Sequence, residues 1–427
     1  MKIALVVPIF PQLSETFIVN KFLRLLERGW DVHVVCQKSP AAGWRQTATL
    51  RERSDLRRRI HAGWPHRPRL LAAALLPLAL LRCLARRPAA TLRYLALGTR
   101  AYGVGVWRRL YLDAELLCLK ADLIHFEFGA LAADRMDLRE LLAARIVVSF
   151  RGLDLNFAGL ESGAEEDFFR HVWRQADALH FLGHDLWRRA QQRGCPVDKR
   201  HALIPPAVDT DFFDPASFPG RGGASGTARP LRILSVARLD SKKGYEFALE
   251  AVRLLHGRGV DCEYRIVGAG AYLEALAYAR HQMGLEGKVH FLGALPPEGV
   301  REEMAEADVL LHAAVSEGFC NAVLEAQAMA LPVVSSDAGG LPENVADGRT
   351  GFVVPRRDAQ AMADRLERLA QDRGLRQTLG AAGRRRVVES FQLHQQVAAF
   401  ERLYSEAAGT TANRPGSPRQ DACSQEP

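Results

Sequence analysis

The chain reads as an α/β protein built from two parallel-sheet halves that face each other across a cleft. Three observations predict it. Short apolar runs alternate with amphipathic segments along most of the 427 residues, the pattern of buried parallel strands and their crossover helices. The series occurs twice, on either side of Asp214 to Thr227, a stretch rich in Gly, Ser and Pro without periodicity, as expected of a linker. In the second half, glycine pairs and cations directly follow apolar runs, where an open α/β sheet has its ligand crevice.

Taken in order, first-half strands are expected at Ile3 to Pro8, Val32 to Cys36, Leu123 to Phe126, Ile146 to Phe150, Ala178 to Leu182 and Ala202 to Ile204. The opening run, Met1 to Pro8, is too short for a signal sequence, and no small-x-small cleavage site precedes Glu15. It reads as the first strand. An insertion from about residue 40 to 115 carries many arginines between Arg51 and Arg109, opposed only by Glu52 and Asp55. Within it, Leu70 to Leu81 is a run of twelve residues, too short to cross a hydrocarbon core about 30 Å thick, and Pro77 interrupts it. Helices with an apolar face and an arginine-rich face suit an anionic membrane surface. The alternative is an insertion packed on its own half with solvated arginines.

Second-half strands are expected at Leu231 to Val236, Tyr264 to Val267, Val289 to Leu292, Val309 to His312, Pro332 to Ser335 and Phe352 to Val354. Helical patterns follow at Ala359 to Ala370, Leu375 to Glu389 and Gln392 to Glu406. The expected organisation is a Rossmann-like domain over 1–215, a linker over 216–230, a second Rossmann-like domain over 231–390, a final helix over 391–406, and a disordered tail over 407–427.

Composition narrows the partners. With 48% hydrophobic and 25% charged residues the chain is ordinary soluble protein, and its net charge of +8 favours anionic ligands. No aromatic platform accompanies the charge, so nucleic acid is not expected. The seven cysteines are scattered without a Cys-x-x-Cys pair, which argues against a disulfide framework or zinc site and fits a reducing cytosol.

Two glutamates carry the most information. Seven residues separate Glu317 from Glu325. If Glu317 closes a loop and Asn321 opens a helix, Glu325 faces that helix's start from one turn in. A ligand at the helix N-terminus then meets a carboxylate from each side, which suits a molecule with hydroxyls at both ends and phosphate between them. The plainer reading is a helix-start acid and an unrelated surface acid. Arg238 and Lys243 stand on the loop after a predicted strand, where a guanidinium fork and a compact ammonium match a diphosphate. Gly244, the pair Gly268 and Gly270, and Gly339-Gly340 mark places where backbone approaches a ligand or takes positive φ.

In this fixed order, Arg238, Lys243-Gly244, Glu317 with Glu325, Pro332-Val333-Val334 and Gly339-Gly340-Leu341-Pro342-Glu343 resemble family four of the retaining glycosyltransferases, over residues 1 to 405. Phe10 to Ile18 is similar to the subgroup that builds exopolysaccharides such as colanic acid. The resemblance implies a GT-B fold whose last helix crosses back onto the first domain. It implies transfer from a UDP- or GDP-sugar to a lipid-linked or polysaccharide acceptor, peripherally at the cytoplasmic face of the membrane. Arg238 and Lys243 would hold the diphosphate, and Glu317 the donor sugar. Phe319, Cys320 and Asn321 would present helix-start amides, and Glu325 would bind the ribose. Gly268 and Gly270 would border the nucleotide, and Gly293 would lie near the base. Fixed cations and a helix N-terminus would stabilise the leaving diphosphate, so no metal or other cofactor is expected.

The acceptor side is read from Ser14, Glu15, His125, Arg151 and Asp154. Ser14 and Glu15 head the first helix, as its cap or as cleft lining. Arg151 stands where many relatives have the His of a His-Gly pair. It cannot act as a base near neutral pH but can bind phosphate or an anionic acceptor. Asp154 either meets the sugar or caps its segment. Asp209-Thr210-Asp211 has a metal-chelating form but reads as structural. Two other readings stay open: a same-fold epimerase or phosphorylase, and a non-catalytic sugar-nucleotide-binding subunit.

Overall fold

The computed structural model describes residues 1–12, 15–51, 53–63, 69–132, 134–156, 165–219 and 229–409. The first sheet holds β1 (Lys2–Ile9), β2 (Asp31–Lys38), β3 (Ile60–Ala62), β4 (Leu123–Phe126), β5 (Arg145–Phe150), β6 (Ala178–Phe181) and β7 (His201–Leu203). Its order is β3-β2-β1-β4-β5-β6-β7, and every pairing is parallel. The second sheet holds β8 (Leu231–Val236), β9 (Cys262–Val267), β10 (Val289–Gly293), β11 (Val309–His312), β12 (Val333–Ser336) and β13 (Gly351–Val354). It runs β10-β9-β8-β11-β12-β13, also parallel throughout.

Central strands such as β4 and β11 are buried at every position. Helices cover both faces of a parallel sheet, so such strands read as continuous apolar runs. Each sheet winds outward, returns, and continues on the other side, so the strand order reverses between β1 and β4 and between β8 and β11. Register aligns the ends of these pairs: Val6 lies opposite Phe126, and Leu234 opposite Leu310. The loops that follow therefore open at one edge, where α/β sheets bind ligands.

The final helix, Leu393–Ala408, is buried along Val397, Phe400, Leu403 and Tyr404. These side chains join the core formed by Ile3, Leu5, Phe22 and Leu25, so the helix crosses back onto the first half. Two of its residues, Ala407 and Ala408, fall in the span read as tail; residues 410–427 lie outside the described residues, as do 220–228 of the linker. A second apolar cluster runs from the first sheet through Val208 and Phe213 to Phe319 and Phe391.

Two expectations about the insertion change. It contributes β3, an edge strand paired to β2 through Val34 and Ile60. Pro77 does not break its helix, which runs unbroken from Arg69 to Arg86. Ala79 and Cys83 on that helix are buried in the same cluster as Tyr94, Leu110, Ala114 and Leu117, and packing on this scale outweighs one lost backbone hydrogen bond. The Pro88–Tyr102 and Val106–Leu119 helices complete the layer. Among the described residues no helix is long and apolar enough to cross a membrane.

Candidate functional site

The loop after β8 places Lys243 against the end of β11. Asp240 Oδ1 accepts from the amide of Lys242 at 3.2 Å and starts a short turn over Ser241–Lys243. Gly244 ends that turn with φ of +63°, and a Cβ there would lie 2.2 Å from the carbonyl oxygen of Ala313. Only glycine fits so close an approach. Lys243 Nζ donates to Glu317 Oε2 at 2.5 Å, and His312 Nε2 lies 3.2 Å from the same oxygen. On the other side of the ring, His312 Nδ1 is 3.9 Å from Cys320 Sγ.

Charge follows this geometry. Burial opposes ionisation of Glu317, but Lys243 and His312 outweigh it and hold the carboxyl down at about 2. Burial likewise opposes charge on His312, yet Cys320 and Glu317 lift its pKa to about 9. Lys243 is desolvated too, and Glu317 still raises its pKa. Lys243 and His312 thus both face one carboxylate oxygen of Glu317. Ligand atoms of His312, Glu317 and Cys320 lie within 4.8 Å of one another, a set that could hold a thiophilic cation if Lys243 withdrew. His312 ends a strand as an isolated histidine, which left it without a signal in the sequence.

As expected, a helix opens at Asn321 (Asn321–Ala328). Glu325 is half-buried on it, and desolvation raises its carboxyl to about 7. Arg238 is exposed and makes no ion pair or hydrogen bond among the described residues, so its guanidinium is open to a ligand. Phe319 is buried, packed 6.0 Å from the ring of Phe391. Cys320 departs from its expected role. Its amide donates to Asn344 Oδ1 at 3.0 Å, and Asn344 Nδ2 donates back to the Cys320 carbonyl at 3.0 Å. The amides of Asn321 and Ala322 keep the unsatisfied positions of a first helical turn.

Gly268 and Gly339 take the positive φ expected of them, 153° and 56°, and the glycines also let loops pack closely on one another. A Cβ at Gly268 would meet the Ala237 carbonyl oxygen at 1.9 Å, and one at Gly270 would meet that of Leu239 at 2.1 Å. Both press the loop after β9 against the loop that carries Arg238. Gly293, with φ of +72°, ends β10 and accepts from the amide of Gly268 at 2.8 Å. Gly339 and Gly340 pack in the same way on the carbonyls of Glu317 and Gly318.

The first half meets this site with Glu15 and Arg151. Glu15 is the N-cap residue of the Thr16–Glu27 helix, but its side chain makes no cap hydrogen bond. One carboxylate oxygen is buried without a partner. Burial raises its pKa to about 7, against the fields of Arg151 and, across the cleft, Arg238. Ser14 lies outside the described residues. Arg151 is paired within the first half: its Nε donates to the Glu127 carbonyl at 2.9 Å and its NH2 to Glu127 Oε2 at 2.5 Å. The guanidinium also lies 4.2 Å from the Phe17 ring centroid. Lys21, buried, pairs with the same carboxylate. Burial would raise Glu127, but Lys21, His125 and Arg151 hold it well below the usual carboxylate range.

His125 is a core residue rather than an acceptor-side one. It is fully buried and sits 2.7 Å from both Tyr404 Oη and Ser149 Oγ, so it ties the crossing helix to the first sheet. Asp154 takes the capping alternative, accepting from the amides of Ala130 at 3.1 Å and Arg151 at 3.3 Å. Asp209 likewise turns the chain, accepting from the amides of Asp211 and Phe212.

The last residue of the Gly339–Glu343 motif joins the halves. Glu343 Oε2 and Oε1 accept from the amides of His184 and Asp185, at 2.7 and 2.8 Å. These amides begin the His184–Gln192 helix of the first half. Gly318, beside Glu317, packs on the Arg151 carbonyl so closely that a Cβ would lie 2.5 Å from its oxygen.

Two Rossmann-like parallel sheets, each with its strand order reversing at a switch point, define the GT-B class. The family model for "Glycosyl transferases group 1" matches residues 226–386. WcaL of Escherichia coli (strain K12), assigned to colanic acid biosynthesis as a glycosyltransferase, is 31% identical over 398 residues, covering 87% of this chain and 91% of WcaL. The amylovoran biosynthesis glycosyltransferase AmsK of Erwinia amylovora is 30% identical over 412 residues, covering 92% and 97%. Among solved structures, Anabaena HepE in complex with UDP and glucose superposes with a TM-score of 0.70 at 17% identity, over 95% of this chain and 99% of HepE. The chain belongs to the group 1 glycosyltransferases.

Proposed function

We propose that the protein transfers a sugar, with retained configuration, from a UDP- or GDP-sugar to a lipid-linked or polysaccharide acceptor in exopolysaccharide biosynthesis. The observation that carries this is the meeting of Arg238, Lys243, Glu317 and the Asn321 helix start at the β8/β11 switch point. Breaking the sugar–phosphate bond puts negative charge on the leaving diphosphate. The open guanidinium of Arg238, the Lys243 ammonium and the first-turn amides stand where fixed positive charge would stabilise it without reorganising. Glu325, one turn in, suits ribose hydroxyls. Glu317 is held by two cations, which makes it a poor nucleophile and a good acceptor for donor-sugar hydroxyls. That favours reaction on one face over a covalent intermediate. Glu15, with a carboxyl near neutrality and an unpartnered oxygen, suits the acceptor hydroxyl's proton. The roles of WcaL and AmsK support the exopolysaccharide assignment.

The arginine-rich helices support peripheral binding at the inner face of the plasma membrane. Leu81 and Val104 there are 66% and 89% exposed, beside the exposed arginines Arg86, Arg100 and Arg108. The test is a nucleotide-sugar panel read first by thermal shift and then by nucleotide release with lipid-linked acceptor. A donor at a hundred times its Kd stabilises by about 2.7 kcal/mol. Nucleotide release only when acceptor is present supports transfer. Turnover of donor alone indicates an epimerase, and binding without release under any acceptor indicates a binding subunit.

A further inference from the structure

Two cysteines that the sequence scatters meet in the helical insertion. Cys83, fully buried on the Arg69–Arg86 helix, and Cys118, half-buried near the end of the Val106–Leu119 helix, have their sulfurs 3.7 Å apart. Cys118 donates to Cys83 Sγ, and the Cys83 S–H in turn points at the Ala114 carbonyl oxygen, 3.9 Å away. We propose that Cys83 and Cys118 form a reversible redox dithiol, with Cys118 the thiol attacked first by hydrogen peroxide and Cys83 the resolving partner.

The asymmetry of the pair supports that order. Contact with Cys83 lowers the pKa of Cys118, with Arg82 and Arg86 adding positive field, while burial works against it. The same contact, with burial, raises the pKa of Cys83. Thiolate character and exposure select the cysteine that oxidises. Elsewhere, burial pushes Cys36, Cys195 and Cys262 up to about 12, which leaves those thiols unreactive near neutral pH.

The chemistry balances in two steps. The Cys118 thiolate attacks one peroxide oxygen, forming an S–O bond and breaking O–O. The departing hydroxide takes a proton as water, leaving a sulfenic acid at Cys118. Cys83 then attacks that sulfur, forming S–S and breaking S–O, and its proton leaves with the hydroxide as a second water. Overall, two thiols give up two electrons and two protons to one peroxide, and a thiol reductant returns them. The sulfurs must close by roughly 1.7 Å to reach disulfide length, within the reach of side-chain rotation. The bridge encloses the Pro88–Tyr102 helix and the exposed Val104 and Trp107, so it would brace the exposed side of the insertion. The inference is independent of the donor site.

Treating the reduced full chain with low molar excesses of hydrogen peroxide, then alkylating and mapping by mass spectrometry, tests it. The expected result is loss of two of the seven thiols, recovered as one linked Cys83–Cys118 peptide pair and restored by dithiothreitol. Cys83→Ser should stop at a dimedone-reactive Cys118. Cys118→Ser should leave Cys83 alkylatable at the same dose. Oxidation of another cysteine before Cys118, bridging to any other cysteine, or equal peroxide sensitivity of Cys83 in the Cys118→Ser variant would overturn the proposal.

Discussion

Arg238 and Lys243 share one loop but stand in different electrical states. Lys243 is matched by Glu317, whereas Arg238 makes no ion pair among the described residues and has the field of Glu15 across the cleft. Charge-assisted hydrogen bonds are worth roughly 1.5–3 kcal/mol, so Arg238→Ala and Lys243→Ala should each lower kcat/KM by about one to two decades in initial-rate assays. Either variant within twofold of the parent would remove that residue from the diphosphate site. Glu325 makes a pH prediction. Its carboxyl titrates near 7 in the folded chain, raised from an ordinary 4.5. The raised pKa stabilises the fold fully below 4.5, and this contribution is lost as pH rises through 7. Donor binding should run the opposite way, because ribose hydroxyls donate better to a carboxylate than to a carboxyl. Donor KM should therefore rise as pH falls below 7. Glu325→Gln should show a flat profile and a KM raised roughly three- to tenfold at pH 8, converging with the parent near pH 6. At this scale, the sequence showed Arg238 and Lys243 on the loop after a strand, and Glu325 on a helix that opens at Asn321. The bond between Lys243 and Glu317 spans 74 positions, and no local pattern marks it. The pairing of Glu127 with Arg151 was equally invisible.

Among the elements, the helical insertion shows best where local rules stop. Its apolar run and arginines were plain, but a proline at its centre predicted a break. The helix persists because Ala79 and Cys83 are buried against neighbouring helices, which offsets the hydrogen bond Pro77 cannot make. β3 was missed for a related reason. Ile60–Ala62 is three residues with a histidine at its centre, too short for a period, and its pairing to Val34, Val35 and Cys36 supplies what the segment lacks. If these helices meet anionic lipid, replacing Arg86, Arg100 and Arg108 together with glutamine should weaken partitioning onto anionic vesicles by about two decades, at about 1 kcal/mol per arginine near the surface. Cosedimentation with anionic and zwitterionic vesicles would read it, and equal binding of parent and variant would assign these arginines to solvent alone.

For the whole molecule, the decisive contact is Glu343 on the first turn of the His184–Gln192 helix. The short Leu341–Asn344 helix that carries Glu343 also carries Asn344, which grips Cys320 beside the donor loop. Closure of the halves and placement of the Glu317 loop are thus mechanically joined. Glu343→Ala should raise donor KM and lower kcat together, by about tenfold in kcat/KM, since two charge-assisted hydrogen bonds are lost. Small-angle scattering should show a larger radius of gyration. An unchanged radius with unchanged kinetics would make the contact incidental. The two sheets and their order of elements were determined by the sequence itself. Strands buried on both faces must be apolar throughout, and loops at their ends must carry the cations and glycines that bind or turn. The tertiary structure alone decided which charges are spent inside the protein and which face the cleft, that Cys83 lies beside Cys118, and how one half holds the other. Those facts depend on distances between residues far apart in the chain, and such distances exist only once the core has brought them together.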